Sequence, residues 1–245
     1  MRYIVKTTLG SNTLDRQNRQ RPVTKEEAIE RWNSFGKKSV VRNKILPQQF
    51  GLCAYIEFNI DSFRSKTSSN KHGCHIEHLK PKSEYPQHTF DYDNLIICAL
   101  DDLDIKKFGQ DFFIDNNPET DHSHKRWFGA PAKGNIYDSE LFISPFEVDC
   151  QRYFLYFEES GEISPAPTVS EGERLRVEYT INLLNLNHPY LKNQRRKRME
   201  EVLEDIDEHE DTQKQLDVIR AEIHPDETGQ LASFPSAVQS LVSGA

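Results

Sequence analysis

The chain has 245 residues, which is long enough for one large domain or two small ones with a proper hydrophobic core. Its 31 basic and 39 acidic residues give a formal net charge of −8, which argues against a free-standing protein that binds nucleic acid tightly. The sequence shows no signal-peptide core and no apolar run of membrane length, and its four cysteines do not indicate a disulfide framework. We therefore expect a protein of the reducing cytoplasm with no membrane partner.

The negative charge is concentrated near the C-terminus. Residues 200–227 hold twelve acids against Lys214 and Arg220, which leaves 29 of the basic and 27 of the acidic residues elsewhere. The rest of the chain is therefore nearly neutral and carries local basic clusters. This distribution does not suit a free-standing protein that binds nucleic acid tightly.

The N-terminal part is polar at first and then helical. The segment through Val23 is rich in Arg and Gln, and only residues 3–5 suggest a strand or a docking arm. Thr24 and Glu27 form a capping box, which predicts an amphipathic helix that ends before Gly36.

Residues 74–78, with the sequence CHIEH, have the alternation of a β-strand. In a strand, His75 and Glu77 would lie on one face and His78 on the other. These three side chains are the first candidates for a chemical site.

The residues beyond this strand strengthen that interpretation. Pro81 turns the chain, and Asn94 precedes the run 95–97, which is apolar enough to be buried. A neutral His can deprotonate water as a general base, and a divalent cation can stabilise negative charge beside it. A carboxylate and an imidazole can hold the cation, and an Asn can fix the tautomer of the base. A satisfied, His-rich surface loop is the alternative.

Downstream, aromatic residues alternate from Tyr153 to Phe157, and Gly161 turns the chain towards Ile163, which predicts a β-hairpin. We expect these aromatic residues to pack in the core rather than to stack on bases. Residues 165–169 would form a linker.

The C-terminal part is predicted to be helical. Ser170 and Glu173 form a second capping box, and the helix that they open ends at Pro189. A single long helix is then expected over residues 191–223, and residues 229–245 would be a flexible end or a short docking segment.

The predicted long helix carries a basic cluster at residues 192–198, followed by an apolar stripe. The cluster is either a solvated face or a contact for phosphate or a partner. The stripe either packs on the chain itself or docks a partner protein. Its members are Met199, Val202, Leu203 and Ile206.

The phrase HIEHLKPKSEYPQHTFDYDNLI, at residues 75–96, resembles the HNH nucleases, whose motif is the ββα-metal finger. It is most similar to the signature of the HNH subunit of Septu-type antiphage systems, the PtuB type, which also occurs beside retrons. The resemblance implies an α+β fold: a ββα-metal finger with flanking helices and a β-hairpin in residues 1–165, followed by a helical region in residues 166–245.

The resemblance also implies a metal-dependent endonuclease that uses one Mg²⁺ or Mn²⁺ ion. Glu77 and His124 would bind the ion, His78 would be the general base, and Asn94 would orient His78. His75 would be an outer or alternative ligand.

Two further assignments follow from the same family pattern. Lys80 and Lys82, on either side of the proline turn, are candidates for phosphate contacts. His124 is assigned as the last motif His because residues 121–125 resemble the family's D-H-C-G-H segment. The competing segment has Ile105 where the ligand belongs, and an isoleucine cannot bind a metal.

The family carries a structural zinc site, of which this sequence keeps only parts. Cys53 is present, but Ile56 stands where the second Cys of the first pair belongs, and Cys98 lacks its partner. The alternative is that both thiols are buried as small hydrophobic groups. The residues that could complete a zinc site are Cys74, His72 and His122.

By the same resemblance, the partners would be an ATPase subunit of the PtuA type and a nucleic acid substrate. The substrate would be DNA, from phage or host, or alternatively an RNA. A retron reverse transcriptase with its RNA–DNA product could control the complex. Two other functions remain open: a scaffold or regulatory subunit that kept the fold and lost the reaction, and a zinc-binding interaction module.

Overall fold

A computed structural model of the protein describes residues 1–6, 10–61, 74–99 and 127–243. Helices surround two small antiparallel sheets in these ranges, so the predicted α+β class is confirmed. Within the same ranges, every helix is too short or too polar to cross a lipid bilayer.

The helices are α1 Asn12–Asn18, α2 Lys25–Ser34, α3 Lys38–Ile45, α4 Ala130–Lys133, α5 Glu171–Leu183, α6 Pro189–Asp207, α7 Thr212–Ile223 and α8 Pro235–Ser243. The strands are β1 Cys74–His78, β2 Leu95–Ala99, β3 Phe154–Tyr156 and β4 Ile163–Pro165. Short 3₁₀ turns lie at Leu46–Gln49, Pro86–His88, Tyr92–Asn94 and Cys150–Tyr153.

β1 and β2 form the sheet that carries the candidate site. They pair antiparallel, with His75 opposite Cys98, Glu77 opposite Ile96 and His78 opposite Leu95. Because side chains alternate along a strand, His75 and Glu77 share one face and His78 lies on the other, as predicted. Every residue of β2 is buried, so this strand runs through the core and fixes β1 beside it.

Helix α2 forms where the capping box predicts it. The hydroxyl of Thr24 accepts a hydrogen bond from the Glu27 amide, and the Glu27 carboxylate accepts one from the Val23 amide. The first bond satisfies an amide that the first turn leaves without a helical partner, and the second ties the residue before the N-cap to the helix. The helix buries Ala28 and Trp32, and Trp32 reaches the site.

The second sheet and α5 also match the sequence-based predictions. β3 and β4 pair antiparallel across the turn that contains Gly161. At the start of α5, Ser170 and Glu173 each bond the other's backbone amide, which is a complete capping box. Tyr153, Phe154 and Tyr156 are buried in the core, as expected for packing residues, whereas Phe157 is exposed.

The prediction of a single long helix over residues 191–223 is wrong. The chain breaks between α6 and α7, where the Asp211 carboxylate caps α7 by accepting from the amides of Gln213 and Lys214. Many acids precede this cap. Acids that lie four residues apart on a helix repel each other, which favours an end of the helix here. α7 folds back on α6, and Arg198 bonds Glu222 across the pair.

The prediction of a flexible C-terminal end is also wrong. α8 packs on the core and buries Phe234, Ala237 and Val238, while Ser236 donates from its hydroxyl to the buried carboxylate of Glu57 at 2.7 Å. The other alternative for this end, a docking segment, agrees better with the structure, and the surface to which the segment docks belongs to the same chain.

The N-terminal residues form a docked arm rather than a strand. The amide of Ile4 donates to the carbonyl of Pro145, and the terminal amino group lies 2.8 Å from Glu57 Oε1. Glu57 therefore joins the two ends of the described chain.

Candidate active site

His78 lies at the end of β1 and is only 4 % exposed. Its Nε2 atom is 3.0 Å from the carbonyl oxygen of Thr89. A carbonyl can only accept, so Nε2 carries the proton of the neutral ring and Nδ1 keeps its lone pair. The Trp32 ring packs edge-on against the imidazole, with ring centroids 4.5 Å apart, and holds its plane.

The charge state of His78 follows from its surroundings. Burial and then the Lys82 ammonium lower the pKa of His78 to about 4, outweighing the opposite effect of Glu77. The imidazole is therefore neutral at pH 7. A neutral ring with a fixed tautomer can accept a proton at Nδ1, as a general base must.

The sequence predicts that Asn94 orients His78, and its side-chain hydrogen bonds go to the backbone of the loop after β1. Its Oδ1 accepts from the Lys80 amide at 2.7 Å, and its Nδ2 donates to the carbonyls of Lys80 and His88 at 3.0 Å each. Asn94 thus clamps the loop after β1 onto the start of β2. Because His88 precedes Thr89, the clamp also places the carbonyl that orients His78.

Glu77 is paired with Lys133, a residue that the sequence did not single out. Lys133 Nζ donates to Glu77 Oε1 at 3.1 Å and to the His78 carbonyl at 3.4 Å, and the lysine side chain is fully buried. A buried ammonium is stable only where it is paired and hydrogen-bonded. No periodic pattern marks Lys133, which ends the four-residue helix α4.

Burial by itself raises the pKa of the Glu77 carboxyl, but hydrogen bonds and charges from His75 and Lys133 outweigh it. The net pKa lies below the ordinary value, so Glu77 is a carboxylate at neutral pH.

His75 and Glu77 are the pair of described residues that could hold a divalent ion. His75 Nε2 lies 3.7 Å from Glu77 Oε2, and an ion with bonds of about 2.1 Å can bridge two ligands at up to about 4.2 Å. Carboxylate oxygen and imidazole nitrogen are donors that Mg²⁺ or Mn²⁺ accepts. Over the ranges that the structure describes, however, no three His, Cys, Asp or Glu residues come together as a metal site. His124, the expected further ligand, lies outside those ranges, as do His122 and His72.

Lys80 and Lys82 lie in the loop after β1. The backbone of Lys80 is fixed by Asn94, and the charge of Lys82 is close enough to act on His78. Their contact with phosphate stays a prediction.

The structure brings Cys53 and Cys98 together in the core, where both are free thiols. Burial raises the pKa of Cys53, but hydrogen bonds from Cys98 and from backbone amides, including Ala99, lower it to about 7 overall. Cys74 is next to His75 in β1, so it lies on the opposite face of the sheet from Cys98. Cys74 therefore does not complete a zinc site with this pair, and the zinc site itself stays a prediction.

Comparison with known proteins adds one relative. The chain is 27 % identical over 173 residues to a protein of Vibrio cholerae serotype O1 biovar El Tor described as "Retron Vc95 putative HNH endonuclease". The matched region covers 69 % of this chain and 67 % of the relative. No family model matches the sequence. The similarity supports an HNH-type nuclease, and the α+β architecture is consistent with that fold.

Proposed function

We propose that the protein is a metal-dependent HNH endonuclease that hydrolyses phosphodiester bonds in nucleic acid. The observation that carries this proposal is His78: a neutral imidazole of fixed tautomer, directly after a carboxylate, at the end of a β-hairpin. The order of residues is the nuclease motif E-H-x-x-P followed by Asn94, and the relative bears an HNH endonuclease name.

In this mechanism His78 is the general base. Its Nδ1 takes a proton from the attacking water, while the Thr89 carbonyl stabilises the imidazolium that forms by accepting from Nε2. Asn94 keeps that carbonyl in place by holding the loop. The rigid support matters because small displacements of a catalytic group cost large factors in rate.

Glu77, His75 and, as the sequence predicts, His124 would hold the divalent cation. When bound, the cation would neutralise the charge that develops on the leaving oxygen. Lys133 would act as a positioning residue, because it bonds Oε1 of Glu77 while Oε2 faces His75. Lys80 and Lys82 would contact substrate phosphates.

DNA is the proposed substrate, with RNA as the alternative. The relative's retron name supports a role in a retron-linked antiphage system, and the motif supports the Septu-type, PtuB-like assignment. An ATPase subunit of the PtuA type would be the partner. A reverse transcriptase and its RNA–DNA product would be candidates for control.

A scaffold without nuclease activity is the second candidate. It is favoured by one observation: the buried ammonium of Lys133 already neutralises the carboxylate that would bind the cation. A scaffold would need that ion pair for stability alone.

The test is cleavage of plasmid DNA and of a structured RNA by the purified full-length chain, with Mg²⁺ or Mn²⁺. Replacing a general base typically lowers the rate by about 10²–10⁴-fold, so His78→Ala should lose cleavage by that factor. His224→Ala, an exposed histidine at the end of α7, is the matched control and should cleave normally. Equal rates for His78→Ala and the unsubstituted chain would refute the assignment of the base, and absence of cleavage in all three proteins would favour the scaffold.

A further inference from the structure

Basic charge is gathered at the end of α2, in α3 and in the loop between them. Residues 31–56 contain five basic residues and no acidic one. This contrasts with the excess of acids in residues 200–227. Charge separated in this way produces a surface potential that attracts polyanions to one side of a molecule.

A cleft of about 290 Å³ opens on this basic side, between α1 and α2. Its lining contains three cationic side chains and several neutral hydrogen-bonding groups, and none of its lining residues is acidic. The polar members are Arg16, Arg31, Lys37, Thr13, Ser34 and Gln17.

The cations of the cleft differ in how they are held. Arg31 is fixed by hydrogen bonds to the Gln17 carbonyl at 2.8 Å and to Glu27 Oε1 at 3.2 Å. Arg16 and Lys37 are exposed and carry their charges towards solvent. These two are therefore the groups able to contact an anion that enters the cleft.

Aromatic contacts connect the cleft to His78. Phe35 lines the cleft and stacks on Trp32 with ring centroids 5.7 Å apart, and Trp32 packs on His78. Lys38, which follows Lys37, has its Nζ 5.5 Å from the Trp32 ring centroid. Lys38 therefore carries positive charge from the edge of the cleft to the Trp32 ring, and that ring contacts the proposed general base.

We propose that this cleft binds a backbone phosphate of the nucleic acid substrate, other than the phosphate that is cleaved, through Arg16 and Lys37. Phosphates recur regularly along a strand, so a strand placed at His78 presents further phosphates to the neighbouring surface. The cleft has charged and hydroxyl groups but no exposed ring for base stacking, so it fits phosphate rather than bases. This inference rests on the proposed nuclease function and names the surface that grips the substrate.

The experiment measures binding in a background that cannot cleave. A fluorescein-labelled 20-base-pair DNA duplex is titrated with full-length His78→Ala protein from about 50 to 200 mM salt, and its anisotropy is recorded. The test protein adds Arg16→Glu and Lys37→Glu. The control adds Lys214→Glu and Arg220→Glu, which makes the same change of charge on α7, where both side chains are exposed.

We expect the cleft variant to bind at least about tenfold more weakly at the lowest salt. The slope of log K against log salt should become shallower by about 0.9, because one duplex phosphate contact contributes about 0.9. The control should keep the affinity and slope of its parent, and all three proteins should have the same Tm.

An unchanged affinity and slope in the cleft variant would overturn the proposal and leave an acidic peptide as the anion to consider. Equal losses in the cleft and control variants, or a parent that does not bind the duplex, would overturn it as well. Binding through the cleft by a chain that never cleaves nucleic acid would support this inference while refuting the proposed function. Cleavage by the unsubstituted chain, together with unchanged DNA binding by the cleft variant, would support the proposed function and refute this inference.

Discussion

Two regions of the molecule are rich in charged side chains but use them in opposite ways. In the site hairpin, residues 74–99, the two candidate site groups are buried or partly buried, and a partner fixes each one: Lys133 for Glu77 and the Thr89 carbonyl for His78. In the acidic helix pair, α6 and α7, most of the acidic side chains lie at the surface, and some form local ion pairs, such as Asp217 with Arg220.

The physical consequence of this difference is large. Removing one partner of a buried ion pair leaves an uncompensated charge and typically costs several kcal/mol, whereas an exposed pair contributes about 1 kcal/mol or less. We therefore expect substitutions of paired groups in the site hairpin to lower the free energy of unfolding more than substitutions in the helix pair.

The inner side of the helix pair is not a free docking surface. Met199 and Val202 are fully buried against the chain's own body, so the first half of the predicted apolar stripe packs internally. In the preceding basic cluster, Arg195 is buried and donates to the carbonyls of Gly161 and Leu186. A partner would meet the acidic outer side of the pair.

The largest effect is expected for Lys133→Met. The buried Glu77 carboxylate would lose its cation, and we expect the free energy of unfolding to fall by about 3 kcal/mol. Urea denaturation measures this change. The matched control is Lys192→Met in α6, whose pair with Glu162 is partly exposed and should cost about 1 kcal/mol or less. Similar losses in the two variants would remove the distinction between the regions.

The next effect is expected for Asn94→Ala. The substitution removes three hydrogen bonds that close the loop, and each contributes about 0.5–1.5 kcal/mol. We expect a loss of about 2–3 kcal/mol in unfolding free energy, together with reduced cleavage because the Thr89 carbonyl is no longer held. Full activity in a folded Asn94→Ala protein would show that the loop does not need this clamp.

A smaller effect is expected for Asp211→Ala at the start of α7. Loss of an N-cap carboxylate typically costs about 1 kcal/mol. Ser170→Ala at the start of α5 provides the comparison with a complete capping box and should cost a similar amount. Circular dichroism during urea unfolding measures both variants, and an unchanged stability of Asp211→Ala would mean that another feature breaks the helix.

The smallest effect concerns pH and the half-buried pair of Glu147 and Arg176. Hydrogen bonds from Arg176 lower the pKa of Glu147 in the folded protein. The pair therefore contributes its stability above the ordinary glutamate pKa, and this contribution is lost as the pH falls through the folded pKa. The difference in unfolding free energy between the unsubstituted chain and Glu147→Gln should be about 1 kcal/mol or less at pH 7 and should approach zero near pH 3. A difference that does not change with pH would contradict this account.

The sequence by itself determined the features that depend on near neighbours. Strand β1 follows from the alternation in CHIEH, α2 and α5 from their capping boxes, and the second hairpin from Gly161. At Gly161 φ is +66°, and a Cβ would lie 2.0 Å from the Lys192 carbonyl oxygen, so only glycine fits. These rules act over a few residues, which is why they can be read in the sequence.

Only the tertiary structure decided the pairings that make the site. Lys133 meets Glu77 across 56 residues, the Thr89 carbonyl fixes His78 across 11, and Ser236 reaches Glu57 across 179. No local periodicity records such contacts, because they arise when separate elements pack and leave buried polar groups that must find partners. The sequence singled out His78 and Glu77 as candidate site residues, and the packing of distant elements decided which groups hold them.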